Sequence, residues 1–315
     1  MIATITLNPC LDRIITVDGL VLDEANRWTK LSISAGGKGI DVSRAIHEMN
    51  GKSTAYGFIG GTAGRTLEIL LDEQGVTYNF TPIEQETRTN FIITDTSTNQ
   101  QTRIDAPGPR ISKREFERFH HRIKHISPKP DLITAGGSVP PGLPTNIYYD
   151  IISEARALGL KAILDSDGQW LAEGIKAKPY LVKPNVREAQ ELLDTPLITE
   201  TDIIKATKQL LKRGIEIAVI SRGAEGLIAA TSHETVIAIP PTVKIKSTVG
   251  AGDCTIAGLA LSLRRGKSLQ EACRLAVAMG TAAVLTPGKE LCHRLDVENL
   301  LPQIQVYPVK IKTRT

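Results

Sequence analysis

The chain has 315 residues, 41% of them apolar and 23% charged, which is enough to bury a large core. A net charge of +4 and an aromatic content of 4% argue against nucleic acid as a partner, and the small positive excess suits an acidic small molecule. No apolar run reaches the ~18–20 residues of a membrane span, and neither a secretory signal nor a metal-binding cysteine spacing is visible. We therefore expect a cytoplasmic protein with no membrane contact.

Short β-type runs alternate with amphipathic helical patterns along the chain. Strands are predicted at 2–7, 131–137, 161–168, 180–185 and 216–223, and helices at 145–160 and 201–214. This alternation predicts an α/β fold with a doubly wound, mostly parallel sheet flanked by helices. Polar residues at the carboxyl ends of such strands should meet in one crevice. Those positions are Asn8, Asp12, 136–138, Asp165, 183–185 and 221–223.

Two segments, about 12–35 and 86–107, interrupt this rhythm with alternating β patterns and no helix between them. We expect them to form a small second sheet beside the core, within a single domain that spans 1–315. Such a sheet can cover a ligand or pair with another subunit. The basic end of the chain, "KIKTRT", is predicted to be a solvated tail.

The stretch "STVGAGDCTIAGLA" places two glycines directly before a predicted helix. Gly250, Ala251 and Gly252 can present backbone N–H groups to an anion, helped by the helix dipole. Asp253 then has two interpretations: it caps the helix, or it is a base beside an anion hole, as phosphoryl transfer requires. The chain contains neither a Walker A loop nor a complete GxGxxG motif, which disfavours P-loop nucleoside triphosphatases and dinucleotide-binding dehydrogenases.

Three other motifs also carry two interpretations each. In "SAGGKGIDVSRAI" the glycines allow close backbone approach, and Lys38 either reaches a phosphate or is solvated in a plain loop. In "ETRTN", Arg88 can bind a phosphate with its planar fork, or it is an exposed strand arginine. In "KPNVRE", Asn185 and Glu188 are three residues apart at a helix start, where they suit Mg²⁺ or a capping box equally well.

Taken together, these motifs closely resemble the ribokinase-like PfkB family of sugar kinases over almost the whole chain. The segments that carry the resemblance are "AGGKGIDVSRAI", "GGSVPPGLP", "LVKPNVREAQELL", "ISRGAEGL" and "STVGAGDCTIAGLA". The chain is most similar to the branch that acts on phosphorylated ketohexoses: 1-phosphofructokinase, tagatose-6-phosphate kinase and the minor 6-phosphofructokinase. The resemblance implies ATP and Mg²⁺ as cofactors, K⁺ in some members, and a β-sheet lid that often joins two subunits in a homodimer.

The resemblance also implies a role for each matching position. Asp253 would be the catalytic base, and Gly250, Ala251 and Gly252 would form the anion hole. The sugar phosphate would be bound by Asp12, Arg27, Gly36, Gly37, Lys38, Asp41, Arg88 and Ser138. ATP would be bound by Lys183, Asn185, Ser221, Arg222, Gly223, Ala224, Glu225, Gly226 and Thr248. Asn185 and Glu188 would organise Mg²⁺, and Val249 and Gly288 would hold K⁺.

The expected reaction is ATP-dependent phosphorylation of fructose 1-phosphate or fructose 6-phosphate at the free CH₂OH group, giving fructose 1,6-bisphosphate. The alternatives are a tagatose-6-phosphate kinase, a ribokinase- or nucleoside-type kinase for an unphosphorylated substrate, and a non-catalytic sensor of sugar phosphates. One departure from the family bears on the sugar. The motif GGKGxN usually ends in asparagine, whereas this chain has Asp41, which accepts hydrogen bonds but donates none.

Overall fold

The β-type runs of the sequence form fourteen strands in residues 1–98 and 100–309, which the computed structural model describes. In chain order the strands are β1 (Ile2–Thr6), β2 (Cys10–Val17), β3 (Lys30–Gly36), β4 (Ser53–Ile59), β5 (Thr81–Pro82), β6 (Arg88–Asp95), β7 (Gln100–Ile104), β8 (Leu132–Gly136), β9 (Lys161–Asp165), β10 (Leu181–Val182), β11 (Ile217–Ser221), β12 (Leu227–Ala230), β13 (Thr235–Ile239) and β14 (Gln305–Pro308). The predicted tail "KIKTRT" lies outside the described residues.

Ten α-helices accompany these strands in the described part of the chain. They are α1 (Lys38–Glu48), α2 (Gly61–Glu73), α3 (Lys113–Lys124), α4 (Ile147–Ala157), α5 (Gly168–Gly174), α6 (Val186–Leu193), α7 (Glu200–Lys212), α8 (Ala251–Arg264), α9 (Leu269–Val284) and α10 (Arg294–Leu300). None of the helices within residues 1–98 and 100–309 combines the length and the apolar character of a membrane span.

A ten-stranded sheet forms the centre of the protein, in the order β14-β13-β12-β11-β10-β9-β8-β1-β4-β5. The strands from β5 to β11 pair in parallel, whereas β12, β13 and β14 are added antiparallel at one edge. Two large apolar clusters cover the two faces of this sheet, as a parallel sheet buried on both sides requires. The predicted α/β architecture is therefore confirmed.

The predicted strand at 180–185 is shorter than expected: β10 contains only Leu181 and Val182. Pro184 has no N–H to donate to a neighbouring strand, so the ladder ends before it. The antiparallel edge formed by β12, β13 and β14 was not predicted, because a short apolar run does not reveal the direction in which its strand will pair.

The small second sheet is also confirmed, with strand order β3-β2-β6-β7. Its central strand β2 pairs antiparallel with β3 and parallel with β6. Alternate residues point to opposite faces, so the sheet has an inner face that is buried and an outer face that is half-exposed. The inner face carries Asp12, Ile14, Asn90 and Ile92, all of them buried.

Helix α8, which carries the "AGDC" motif, packs closely against α9. The approach depends on Gly258, since a methyl group there would lie 2.6 Å from the Cα atom of Ala276. The buried face of α8 then fixes the position of its first turn relative to the sheet. That turn is the part of the helix that contains Asp253.

Candidate active site

A glycine turn leads into α8, and Gly252 in the first turn of this helix is exposed. Gly250 has the left-handed conformation (φ +83°) that glycine adopts without strain, and α8 begins at Ala251. The first N–H groups of a helix have no partner within the helix. Asp253 lies in this turn and makes no capping hydrogen bond, so the capping interpretation of its role is wrong.

The surroundings of Asp253 raise the pKa of its carboxyl group into the neutral range. Burial raises the pKa of Asp253, and the nearby Asp41 and Asp165 carboxylates raise it further. The Lys38 and Lys289 ammonium groups act in the opposite direction, and the result is a pKa of about 7. A carboxylate with such a pKa is well matched to accept a proton from a substrate near pH 7.

Two lysines meet at a buried carboxylate beside this turn. Lys38, the first residue of α1, donates to Asp165 Oδ2 at 3.1 Å, and Lys183 Nζ lies 3.4 Å from Asp165 Oδ1. Burial lowers the pKa of Lys38, but Asp165, Asp253 and Glu188 raise it by more, so the group remains an ammonium. A methyl group at Gly252 would lie 3.8 Å from Lys183 Nζ, which places this lysine at the predicted anion hole.

A cavity of about 470 Å³ opens on one side of these lysines. Its walls include five of the predicted nucleotide-site positions, together with two residues of the glycine turn: Ser221, Gly223, Ala224, Gly226, Thr248, Ala251 and Gly252. The segment from Pro240 to Val243 and the small residues of α9 complete the walls. Volume and composition suit the purine and ribose of a nucleotide.

Four residues predicted at the nucleotide site do not line this cavity: Lys183, Asn185, Arg222 and Glu225. The Arg222 side chain pairs with Glu200 at 3.2 Å and with Glu225 at 3.4 Å, and it donates to the carbonyl of Glu225. The Arg222 N–H also donates to Gly226 O. Arg222 and Glu225 therefore stabilise the loop 221–226, of which Gly223, Ala224 and Gly226 line the cavity.

A second cavity, of about 380 Å³, is lined by Arg88, Ser138, Pro107 and Trp170 among others. The Arg88 guanidinium donates to Ser138 Oγ at 3.2 Å, to Asn8 O at 3.0 and 3.2 Å, and to Ala106 O at 2.8 Å. Arg88 is half-buried and fixed, so the interpretation as an exposed strand arginine is wrong. A fixed guanidinium at a cavity wall is suited to an anionic group such as a phosphate.

The two cavities lie at the two ends of one row of contacting residues. Lys38 packs against Gly137, where an added methyl group would lie 3.5 Å from Lys38 Cγ, and Gly137 is followed by Ser138 of the Arg88 cavity. At the other end, Lys183 approaches Gly252 of the larger cavity. A phosphoryl group passing between two substrates in these cavities would move along the lysines and past Asp253.

The predicted sugar-site turn lies in the same region. Gly37 adopts a φ of +119°, which only glycine tolerates easily, and the turn leads directly into α1 and Lys38. Gly36 ends β3 beside Cys10 of β2. Asp12 lies inside β2 rather than at the end of β1, and Asp41 lies in the first turn of α1. These residues are brought together as predicted.

The structure does not bring Arg27 to the site. Arg27 is exposed in the loop between β2 and β3, beyond the pair Thr16–Lys30. The site lies at the opposite end of these strands, six residues along β2 at Cys10, which is about 20 Å at the usual strand rise. Of the residues predicted to bind the sugar phosphate, Arg88 and Ser138 line a common cavity.

Asn185 and Glu188 form a capping box in this structure. Asn185 N donates to Glu188 Oε2 at 2.8 Å, and Glu188 N donates to Asn185 Oδ1 at 2.9 Å. Residues 1–98 and 100–309 contain no group of three or more His, Cys, Asp or Glu side chains placed to hold a metal. Asp165 Oδ1 is buried and makes no hydrogen bond beyond its 3.4 Å ion pair with Lys183, however, and oxygen atoms are the ligands that Mg²⁺ prefers. The residues present fit Mg²⁺ that is bound mainly through phosphates and water.

The two positions predicted for K⁺ lie close together. Ser247 Oγ donates to Gly288 O at 2.7 Å and accepts from Val249 N at 3.3 Å, so one buried hydroxyl bridges both segments. Backbone carbonyl oxygens of this kind are suitable ligands for an alkali cation. Their use by K⁺ remains a prediction.

A carboxylate in the first turn of a helix, with lysines between a nucleotide-sized cavity and a cavity lined by a fixed arginine, is the arrangement expected of a phosphotransferase. The comparison with known families makes this specific. Residues 5–294 match the model of the "pfkB family carbohydrate kinase". The chain belongs to the pfkB family of carbohydrate kinases.

The relatives include two kinds of phosphofructokinase. The chain is 36% identical to an "ATP-dependent 6-phosphofructokinase isozyme 2" of Mycobacterium tuberculosis, covering 94% of this chain and 88% of the relative. It is 33% identical to a "1-phosphofructokinase" of Borreliella burgdorferi, covering 97% and 98%. Among solved structures, Escherichia coli phosphofructokinase-2 in complex with potassium superposes with a TM-score of 0.92 at 31% identity, covering 96% and 98%.

The roles of two residues of the site could not be predicted from the sequence. Asp165 was expected only as one of several polar residues at strand ends, and its bridging of two lysines depends on their positions on α1 and after β10. Lys289 was missed altogether. It follows α9 in "TPGKELC", a segment whose letters give no sign that its lysine is buried against Asp12 and Asp41.

The pKa of Asp253 can be tested through the pH dependence of kcat/KM. Because a base must be deprotonated to act, kcat/KM should rise with pH through about 7 and then become constant. The positive charge of Lys38 lowers the pKa of Asp253. Because Lys38→Met removes that charge, the acidic limb of the variant's pH profile should move to higher pH. Initial rates at saturating ATP between pH 5.5 and 9.5 measure both profiles.

Substrate phosphates also titrate in this range, but they are identical for the two proteins, so the difference between the profiles isolates the enzyme group. A flat profile for the unmodified enzyme, or a limb that moves to lower pH in Lys38→Met, would contradict this account of Asp253.

Proposed function

We propose that the protein transfers the γ-phosphoryl group of ATP to the free CH₂OH group of a phosphorylated ketohexose, fructose 1-phosphate or fructose 6-phosphate, giving fructose 1,6-bisphosphate. The observation that carries this proposal is the position of Arg88. Its guanidinium lines a cavity that connects, through Ser138, Gly137 and Lys38, with the surroundings of Asp253. An unphosphorylated substrate would have no use for a fixed cation at that wall.

The chemical step follows from the arrangement around α8. Asp253 accepts the proton of the CH₂OH group, the freed oxygen forms a bond to the γ-phosphorus, and the bond from that phosphorus to the ADP oxygen breaks. The N–H groups of the first turn of α8, with Lys183 beside Gly252, face the charge on the transferring group. Mg²⁺ supplies neutralisation of phosphate charge when bound. Asn185 and Glu188 would orient it, the latter through water.

The sugar phosphate would be held at its two ends. Arg88 and Ser138 would bind the phosphate already present, and the Gly36–Gly37 turn with Asp12 and Asp41 would face the hydroxyl groups. A substrate fixed at a distance from the reacting oxygen is oriented for attack, which is where much of the rate enhancement of kinases originates.

Two ketohexose phosphates are the leading candidates for the substrate. Relatives named for fructose 6-phosphate and fructose 1-phosphate kinases are similarly identical to the chain, at 36% and 33%. Both substrates would give the same product, so only rates separate them. Tagatose 6-phosphate belongs in the same panel, because "CTIAGLA" and "DVENLLPQIQV" resemble the tagatose-6-phosphate kinases.

A homodimer formed through the small sheet is part of this proposal, and it is supported by the outer face of that sheet. Cross-strand neighbours Ile33, Arg13, Phe91 and Ile104 form a row across all four strands. Ile33, Phe91 and Ile104 are 38%, 38% and 56% exposed. A row of exposed large apolar side chains on one face marks an interaction surface, and a second copy of the same face is the occupant that we propose. A cytoplasmic location, where ATP is abundant, belongs to the same proposal.

The role of Arg88 is tested with a panel of fructose 1-phosphate, fructose 6-phosphate, tagatose 6-phosphate and free fructose, with ADP release measured by a coupled assay. The unmodified enzyme should turn over at least one phosphorylated sugar and leave free fructose nearly untouched. Arg88→Ala should raise the KM for that sugar phosphate about 10- to 100-fold, the range for loss of a charge-assisted pair, with the KM for ATP within about 2-fold.

Arg103→Ala is the matched control, since Arg103 lies on the same sheet but is exposed and pairs with the equally exposed Asp105. It should leave both KM values unchanged. An unchanged KM for the sugar phosphate in a folded Arg88→Ala protein, or efficient use of free fructose by the unmodified enzyme, would refute the proposed substrate class.

The dimer is tested by light scattering after size exclusion. The unmodified protein should elute with twice the mass of one chain, whereas the double variant Phe91→Asp, Ile104→Asp should elute as a monomer, because two buried carboxylates would face the same pair in the partner. Ile198→Asp introduces a charge at an apolar residue that is 86% exposed elsewhere, and it should remain dimeric. A monomeric unmodified protein would overturn this part of the proposal.

A further inference from the structure

Lys289 lies in the segment between α9 and α10 and is buried between two carboxylates. Its Nζ donates to Asp12 Oδ2 and lies 2.8 Å from Asp41 Oδ2. The three side chains are 6%, 1% and 2% exposed. One of the three N–H donors of the ammonium group is thus used by Asp12, and the charge of Asp41 lies beside the same group. The lysine therefore joins the inner face of the small sheet to helix α1.

The other oxygens of both carboxylates also have partners. Asp12 Oδ1 accepts from Asn90 Nδ2 at 3.0 Å and from the Cys10 thiol at 3.2 Å. Asp41 Oδ1 accepts from Arg44 Nη1 at 3.1 Å. Two carboxylates, one lysine and one arginine give a cluster of zero net charge. Removing any single charge would leave a buried charge without its counter-ion, which is costly in a protein interior.

The cluster lies directly beneath the glycine turn of the sugar site. A methyl group at Gly36 would lie 2.7 Å from Lys289 Nζ and 2.8 Å from Cys10 Sγ. Lys289 O also faces Arg44 Nη2 at 3.4 Å. The lysine thus contacts the turn and both carboxylates that the proposed function places at the sugar hydroxyls. Stability alone does not explain such a cluster, because packed apolar residues of similar volume often stabilise a protein as well or better.

The identity of residue 41 is connected with this lysine. The family motif usually has asparagine where this chain has Asp41. A neutral amide would leave the cluster with a net charge of +1, whereas the aspartate balances the lysine. The buried Lys289 therefore gives a physical reason for an aspartate at position 41, where the motif usually has asparagine.

We propose that Lys289 is a positioning residue for the sugar phosphate and that Lys289 and Asp41 form one functional unit, which holds Asp12 and the Gly36–Gly37 turn in the shape that binds the sugar. This inference rests on the proposed function. Lys289 acts through the two carboxylates, and the unit works with both charges present or with both removed, but not with one alone.

A double-mutant cycle tests the unit. Lys289→Met and Asp41→Asn should each raise the KM for the preferred sugar phosphate about 10- to 100-fold, while the KM for ATP stays within about 2-fold. The double variant Lys289→Met, Asp41→Asn restores a cluster of zero net charge, formed by Asp12 and Arg44. Its KM should return to within about 5-fold of the unmodified enzyme. Lys267→Met, which removes a surface lysine paired with Glu271, is the control and should change nothing.

Thermal unfolding by circular dichroism is measured for every variant, because a lysine with a purely structural role would lower the melting temperature and leave the KM of the folded protein unchanged. That outcome overturns the proposal, as does a double variant whose effect equals the product of the two single effects. If Lys289→Met does not fold, the double variant must still fold and bind the sugar phosphate, and its failure also overturns the proposal.

The failure of the proposed function would look different. An unmodified enzyme that turns over no phosphorylated sugar of the panel would reject the substrate class, and the role of Lys289 with it. An active unmodified enzyme with independent effects at 289 and 41 would reject the role of Lys289 alone.

Discussion

The ion pairs of Asp165 with Lys38 and Lys183 are the interaction on which the arrangement of the site depends. The carboxylate ends β9 and is buried, so it sets the position of two ammonium groups that come from α1 and from the segment after β10. One lysine extends toward the cavity of Arg88 and the other toward the first turn of α8. Without that carboxylate, two neighbouring cations would repel each other beside the first turn of α8.

The same charges determine the protonation of Asp253. Burial and the carboxylates of Asp41 and Asp165 favour the neutral acid, and the two lysines Lys38 and Lys289 favour the carboxylate. The site therefore contains alternating charges rather than a cationic patch, although both of its substrates would be anions. In the proposed mechanism, this balance would allow Asp253 to act as a base near neutral pH while the lysines attract phosphate. Lys289 pairs with Asp12 and Asp41, and in our proposal it acts on the sugar phosphate only through these two carboxylates.

The sequence allowed much of the fold and part of the site to be predicted. Parallel strands separated by helices, the small sheet and the glycine turn before Asp253 all follow from local patterns, because periodicity and glycine placement act over a few residues. The convergence of Asp165 and Lys183 at one edge followed from the geometry of parallel sheets. The ambiguity of Arg88 was resolved only by its contacts with Ser138 and Asn8, which are 50 and 80 residues distant in sequence. Lys289 and Asp12 are separated by 277 residues, and nothing near either of them indicates the other.

The most direct test of the whole account is the activity of Asp253→Asn, which keeps the size of the side chain and removes the base. The account predicts that kcat falls by about 10²- to 10⁴-fold, the usual contribution of a general base, and that the affinity for ATP measured by calorimetry stays within about 2-fold. Retention of full activity by a folded Asp253→Asn protein would contradict the central claim.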